Sequence, residues 1–133
     1  MTRYLFLTAL FFVICIPVFA EGVSTAPKQS QVVSRSVSYQ ECTKIFNVNK
    51  EKLFYLTIGA VNANRFKTDE IQTENGYVIF SVNKNKYTAT IAGVDKENSI
   101  LKITPYNNVY YFQPEIISNI YKYIEINKDS ELK

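Results

Sequence analysis

The stretch Tyr77-Val78-Ile79-Phe80-Ser81-Val82-Asn83-Lys84-Asn85-Lys86-Tyr87-Thr88-Ala89-Thr90-Ile91-Ala92-Gly93-Val94 decides the fold. Two runs rich in Tyr, Val, Ile, Phe and Thr flank Asn83-Lys84-Asn85, residues that accept left-handed or turn conformations without much strain. In the second run Tyr87, Ala89, Ile91 and Gly93 point one way, and Thr88, Thr90 and Ala92 the other. One face is therefore apolar and the other wetter. Working outward, residues 69–73 and 99–104 have the same composition, and Glu74-Asn75-Gly76 and Asp95-Lys96-Glu97-Asn98 supply the turns. Four strands joined by tight turns make an antiparallel meander.

Helical patterns lie on both sides. Over residues 49–66, Leu53, Leu56, Ala60 and Ala63 recur at threes and fours, with Phe54, Ile58 and Val61 widening the stripe and Asn47 or Asn49 able to cap the start. Gly59 inside this helix costs about 1 kcal/mol against alanine, which points to close packing against a sheet. Beyond Pro105 and an Asn107-Asn108 turn, Pro114 opens a second helix. Its apolar face is Ile116, Ile117, Ile120, Tyr123 and Ile124, and it ends near Ile126. The economical way to bury both stripes is to lay the helices on one face of the sheet, an α+β two-layer sandwich.

The N-terminus carries an address. Arg3 precedes an unbroken apolar run over residues 5–16, followed by Pro17-Val18-Phe19-Ala20, the pattern of a secretory signal peptide cut before Glu21. An uncleaved membrane anchor is the alternative. Lipidation at Cys15 fails because Ile14 is bulky where a small residue is required. The expected product is exported, periplasmic or secreted, and touches a membrane only through the signal segment before cleavage. Residues 21–40, rich in Ser, Gln and Val, read as a flexible lead-in, with a short edge strand at Val37 and Tyr39 as the alternative. Residues 41–126 form one α+β domain and 127–133 a polar tail. Cys42 is the single cysteine left after cleavage, so it is either a buried small apolar residue or an intermolecular linker.

The run Leu53-Phe54-Tyr55-Leu56-Thr57-Ile58-Gly59-Ala60-Val61-Asn62-Ala63-Asn64-Arg65-Phe66, then Gly76-Tyr77-Val78-Ile79-Phe80, then Leu101-Lys102-Ile103-Thr104-Pro105 resembles a family of small exported bacterial proteins of the kind found in relatives of cyanobacteria. The resemblance covers about residues 39–124. It implies an envelope setting and the same fold, and carries over no functional residue, since that family has no established activity. In layout the chain is also similar to the helix-and-sheet domains of envelope assembly lipoproteins such as BamC.

Composition narrows the chemistry. The chain has no histidine, which removes Ser-His-Asp and Cys-His arrangements and every histidine metal site. Ser99-Ile100-Leu101-Lys102 and Ser130-Glu131-Leu132-Lys133 match S-x-x-K without its companion motifs, and no phosphate-cradling glycine loop occurs. Asp69 and Glu70 alternate on a strand and do not converge. No cofactor is expected. The formal charge of +3, which drops by one with Arg3, comes from lysines scattered among acids, so nucleic acid is not an expected partner. The positive signal is aromatic clustering at Tyr106, Tyr110, Tyr111, Phe112, Tyr121 and Tyr123. These rings either seal the second helix against the sheet or form a binding patch, in which Tyr110, Tyr111 and Tyr121 would contact a protein or glycan. The function expected on this basis is a non-enzymatic interaction or accessory module of the envelope. A small exported enzyme or inhibitor with a site lacking histidine is the alternative.

Overall fold

Residues 33–130 are described by a computed structural model. The expected leader over residues 1–20, Cys15, the cleavage position before Glu21 and residues 131–133 lie outside the described residues. The elements run β1 (Arg35–Ser36), a 3₁₀ turn (Gln40–Cys42), β2 (Thr43–Phe46), α1 (Lys50–Ala63), β3 (Lys67–Gln72), β4 (Tyr77–Val82), β5 (Asn85–Gly93), β6 (Ser99–Pro105), β7 (Tyr111–Phe112) and α2 (Glu115–Asn127). Strands β2 to β6 form one sheet in the order β2-β6-β5-β4-β3 with every pair antiparallel, and β1 pairs with β7 in a separate ribbon.

The α+β class stands, with one correction: the sheet has five strands, not four. The added strand is β2, which lies against β6 with Lys44 opposite Leu101 and Phe46 opposite Ser99. Both of its sides mix polar and apolar residues, Lys44 with buried Phe46 on one and Thr43 with Ile45 on the other. Lys44 shares the side of Leu101, whose face is buried, while Ile45 points to solvent at 59% exposure. Period-two hydrophobicity therefore gives no strand signal here. The expected lead-in is also shorter: Val37 is buried and its N–H donates to the Tyr110 carbonyl at 3.1 Å, so the packed body begins before residue 41.

Alternation builds the core. Val78 and Phe80 from β4, Tyr87, Ala89 and Ile91 from β5, and Leu101 and Ile103 from β6 are buried on one face, together with Leu53, Leu56, Ala60 and Val61 of α1 and Ile116, Ile117, Ile120 and Ile124 of α2. Cys42 is buried with them, its thiol donating to the Ser38 carbonyl at 3.5 Å. Asn49 caps α1, accepting the Lys52 N–H at 2.8 Å. Ala63, expected on the apolar stripe, is exposed. Thr57 is buried instead and donates its hydroxyl to the Leu53 carbonyl at 2.8 Å. Gly59 serves the second helix rather than the sheet, since a Cβ there would come 3.0 Å from the Tyr123 hydroxyl of α2.

Two chain reversals use the left-handed backbone without glycine. After α1, the Arg65 N–H bonds the Asn62 carbonyl and the Phe66 N–H the Val61 carbonyl, a Schellman ending with Arg65 at φ 60°. Between β4 and β5, Asn83 and Lys84 have φ 51° and 73° inside the Val82–Asn85 pair, a two-residue hairpin turn. Gly76 differs, because at φ +70° its missing Cβ would lie 2.9 Å from the Ile91 carbonyl oxygen.

Side chains other than Asn and Asp are strained at positive φ. Arg65→Gly and Lys84→Gly should therefore each raise unfolding free energy by about 0.5–1 kcal/mol. Urea unfolding of each variant checks this, and a loss of stability in both would contradict it.

Candidate functional site

The face of the sheet turned away from the core is set by register. Crossing it, Thr43, Lys102, Thr90, Tyr77 and Gln72 form one row, and Thr104, Thr88, Ile79 and Glu70 the next. Along β6, Lys102 and Thr104 lead to Tyr106 by the same alternation. This face is thus hydroxyl-rich, with lysines and tyrosines at its margin.

Lysine ammonium groups sit over the marginal rings. Lys102 Nζ lies 4.9 Å from the centroid of Tyr39, and Lys86 Nζ 5.6 Å from that of Tyr106. Hydrogen bonding to Tyr39 is the leading reason that Lys102 holds its proton above the ordinary lysine value. Neither lysine forms an ion pair among the described residues. Tyr39 and Tyr106 are 56% and 59% exposed, large areas for rings that also carry a hydroxyl.

The three tyrosines singled out from sequence do not form one patch. Tyr110 is half-buried with its ring centroid 6.3 Å from that of Tyr39, so it joins the margin of the sheet face. Tyr111 is 60% exposed and faces away from Tyr110, lining a small recess with Lys86, Asn107 and Val109. Tyr121 lies elsewhere, its ring edge-on to Phe46 at 5.7 Å and its hydroxyl buried without a partner. Burial pushes that hydroxyl's pKa far up. Tyr121 also lines an open cleft of about 410 Å³ between residues 35–44 and the start of α2. Sequence reasoning missed Tyr39, Lys86 and Lys102 as members of the aromatic margin. The i, i+2, i+4 spacing of Lys102, Thr104 and Tyr106, along β6 and one residue past its end, was the available signal for Lys102.

A clamp fixes the segment that presents Tyr39. Arg35 donates to both Glu41 oxygens, at 2.7 and 3.2 Å. The Ser38 N–H donates to Glu41 at 3.0 Å, and the Glu41 N–H returns to the Ser38 hydroxyl at 3.2 Å, a reciprocal capping box. Catalytic geometry is not assembled at Ser99, whose hydroxyl donates to the Val48 carbonyl at 2.7 Å, while Lys102 sits on the opposite side of the strand. Among the described residues, no three His, Cys, Asp or Glu side chains are grouped to hold a metal ion. The chain matches no model of a known protein family, and no curated protein matches it.

Two outcomes are expected. Arg35 and the Ser38 N–H hold the Glu41 carboxyl at about 2, below its ordinary 4.5. The clamp's contribution is therefore complete above about pH 4.5 and lost as pH falls through about 2. Carboxyl-carbon NMR should give that low midpoint, and Arg35→Ala should move it up; an ordinary midpoint in the parent chain would refute the clamp. Separately, Tyr121→Phe removes a hydroxyl without a partner and should leave stability unchanged or raise it by up to about 1 kcal/mol. Tyr121→Ala should lose about 3 kcal/mol. A thermal melt in which Tyr121→Phe is as damaging as Tyr121→Ala would show that the hydroxyl is bonded.

Proposed function

We propose that the protein is an exported, non-enzymatic interaction module of the cell envelope that binds a glycan on the open face of its sheet. The observation carrying this reading is the placement of Tyr39 and Tyr106, both more than half exposed and each beneath a lysine ammonium, at the margin of a threonine-rich surface. A sugar ring has an apolar C–H face and a rim of hydroxyls. The tyrosine rings suit the first, and Thr88, Thr90, Thr104 and the lysines supply donors and acceptors for the second. In this reading Tyr110 supports Tyr39 and Tyr111 extends the contact, while Tyr121 is structural.

A protein partner is the second reading. It is favoured by the apolar row Ile45, Ile100 and Ala92 at one end of the same face, with Ile45 59% exposed. Export and the finer sandwich arrangement, with both helices on the side away from the ligand, belong to the same proposal. The apolar run over residues 5–16 and the one-sided burial of the strands support them.

A glycan array probed with the full chain tests the assignment. Tyr39→Ala and Tyr106→Ala should each weaken the strongest glycan signal about ten-fold, because each removes one stacking ring while leaving the core intact. Melting temperatures should stay within a few degrees of the parent. No glycan signal, or signals unchanged in both folded variants, would move the assignment to the protein reading.

A further inference from the structure

A second surface lies where the end of α1 meets the β4–β5 hairpin, next to the tyrosine margin through the Ser81–Lys86 pair. It is an open cleft of about 520 Å³ lined by residues that include Arg65, Phe66, Lys67, Ser81, Asn83 and Lys84. Three of these are cations and none is an acid. Lys67 reaches Asp69 at 3.6 Å, and that carboxylate also accepts the Ser81 hydroxyl. Arg65 and Lys84 form no ion pair among the described residues.

The backbone makes this charge conspicuous. Among the described residues four non-glycine residues have positive φ, and three of them, Arg65, Asn83 and Lys84, line this cleft. Asparagine tolerates that conformation, whereas Arg65 and Lys84 occupy positions where glycine would fold at lower cost. The chain thus places unpaired cations, at a conformational penalty, on one concave surface. With Asp69 offsetting Lys67, about two positive charges remain, and the Arg65 guanidinium offers a planar fork for two oxygens.

We propose that this cleft binds a phosphate group, with Arg65 as the bidentate donor and Lys84 and Lys67 closing around the remaining oxygens. A phosphate carries up to two charges and three acceptor oxygens, matching the cleft better than the single charge of a carboxylate. The phosphate could be free or part of an anionic lipid headgroup, and both present the same oxygens.

Amide NMR of the full chain at low ionic strength tests this, with inorganic phosphate in one arm and vesicles of phosphatidylglycerol or phosphatidylcholine in the other. Expected are saturable shifts confined to residues 64–67 and 81–84. Affinity should fall about ten-fold or more in Arg65→Gly with Lys84→Gly, a pair designed to preserve or raise stability. Arg65→Gln with Lys84→Gln, which removes charge while keeping side-chain bulk, should weaken binding comparably. A response to phosphate without vesicle binding identifies a soluble ligand, whereas binding to phosphatidylglycerol and not phosphatidylcholine identifies a headgroup. The proposal is overturned by no saturable shift in either arm, by an equal response to acetate, or by undiminished binding in both double variants.

Discussion

A row of four aromatic rings holds the elements together. Phe66 stacks on Phe80 at 5.7 Å, Phe80 on Tyr87 at 5.5 Å, and Tyr87 meets the edge of Phe112 at 5.3 Å. The row starts in the residue that closes α1, crosses β4 and β5, and ends in β7 beside the entrance to α2. Each pair contributes about 0.5–1.5 kcal/mol beyond its buried area. Phe66 has its direction from the left-handed backbone at Arg65, and Phe112 from pairing with Arg35. The strained helix ending and the small β1–β7 ribbon are thus both coupled to the core.

Because Val78, Phe80, Tyr87, Ala89, Ile91, Leu101 and Ile103 are buried on one side, the sheet has one buried face and one open face. An antiparallel sheet tolerates that division when the open side is polar, and here it presents threonines, lysines and tyrosines. The edges are also managed. Asp69 is left out of register between Thr68 and Glu70 as a bulge on the edge strand β3, and charged Lys67 and Glu70 flank it. Such features discourage indiscriminate strand pairing at that edge.

Much of this was legible in the chain itself. The alternation in residues 86–94 gave the correct inward set Tyr87, Ala89 and Ile91, and Asn49 and Pro114 marked the two helix starts where they occur. Strand β2 was not legible, because Lys44 faces the core side and snorkels over Phe46 and Tyr121 while Ile45 faces solvent. Gly59 announced close packing but not its partner, since contact with Tyr123 is a tertiary matter. The candidate surface was half legible. Tyr111 is exposed as strand alternation requires, yet the pairing of Tyr39 with Lys102 joins residues far apart in sequence and has no local signature.

The claim on which the rest turns is that the open sheet face is the working surface. Photo-cross-linking reads this directly: a benzoylphenylalanine placed at position 106, on the sheet margin, is compared with one at position 55, an exposed helix position. Full-length protein incubated with native envelope extract should give defined covalent adducts from position 106 and none of the same mass from position 55. Adducts confined to position 55, or identical from both, would contradict the assignment of the sheet face.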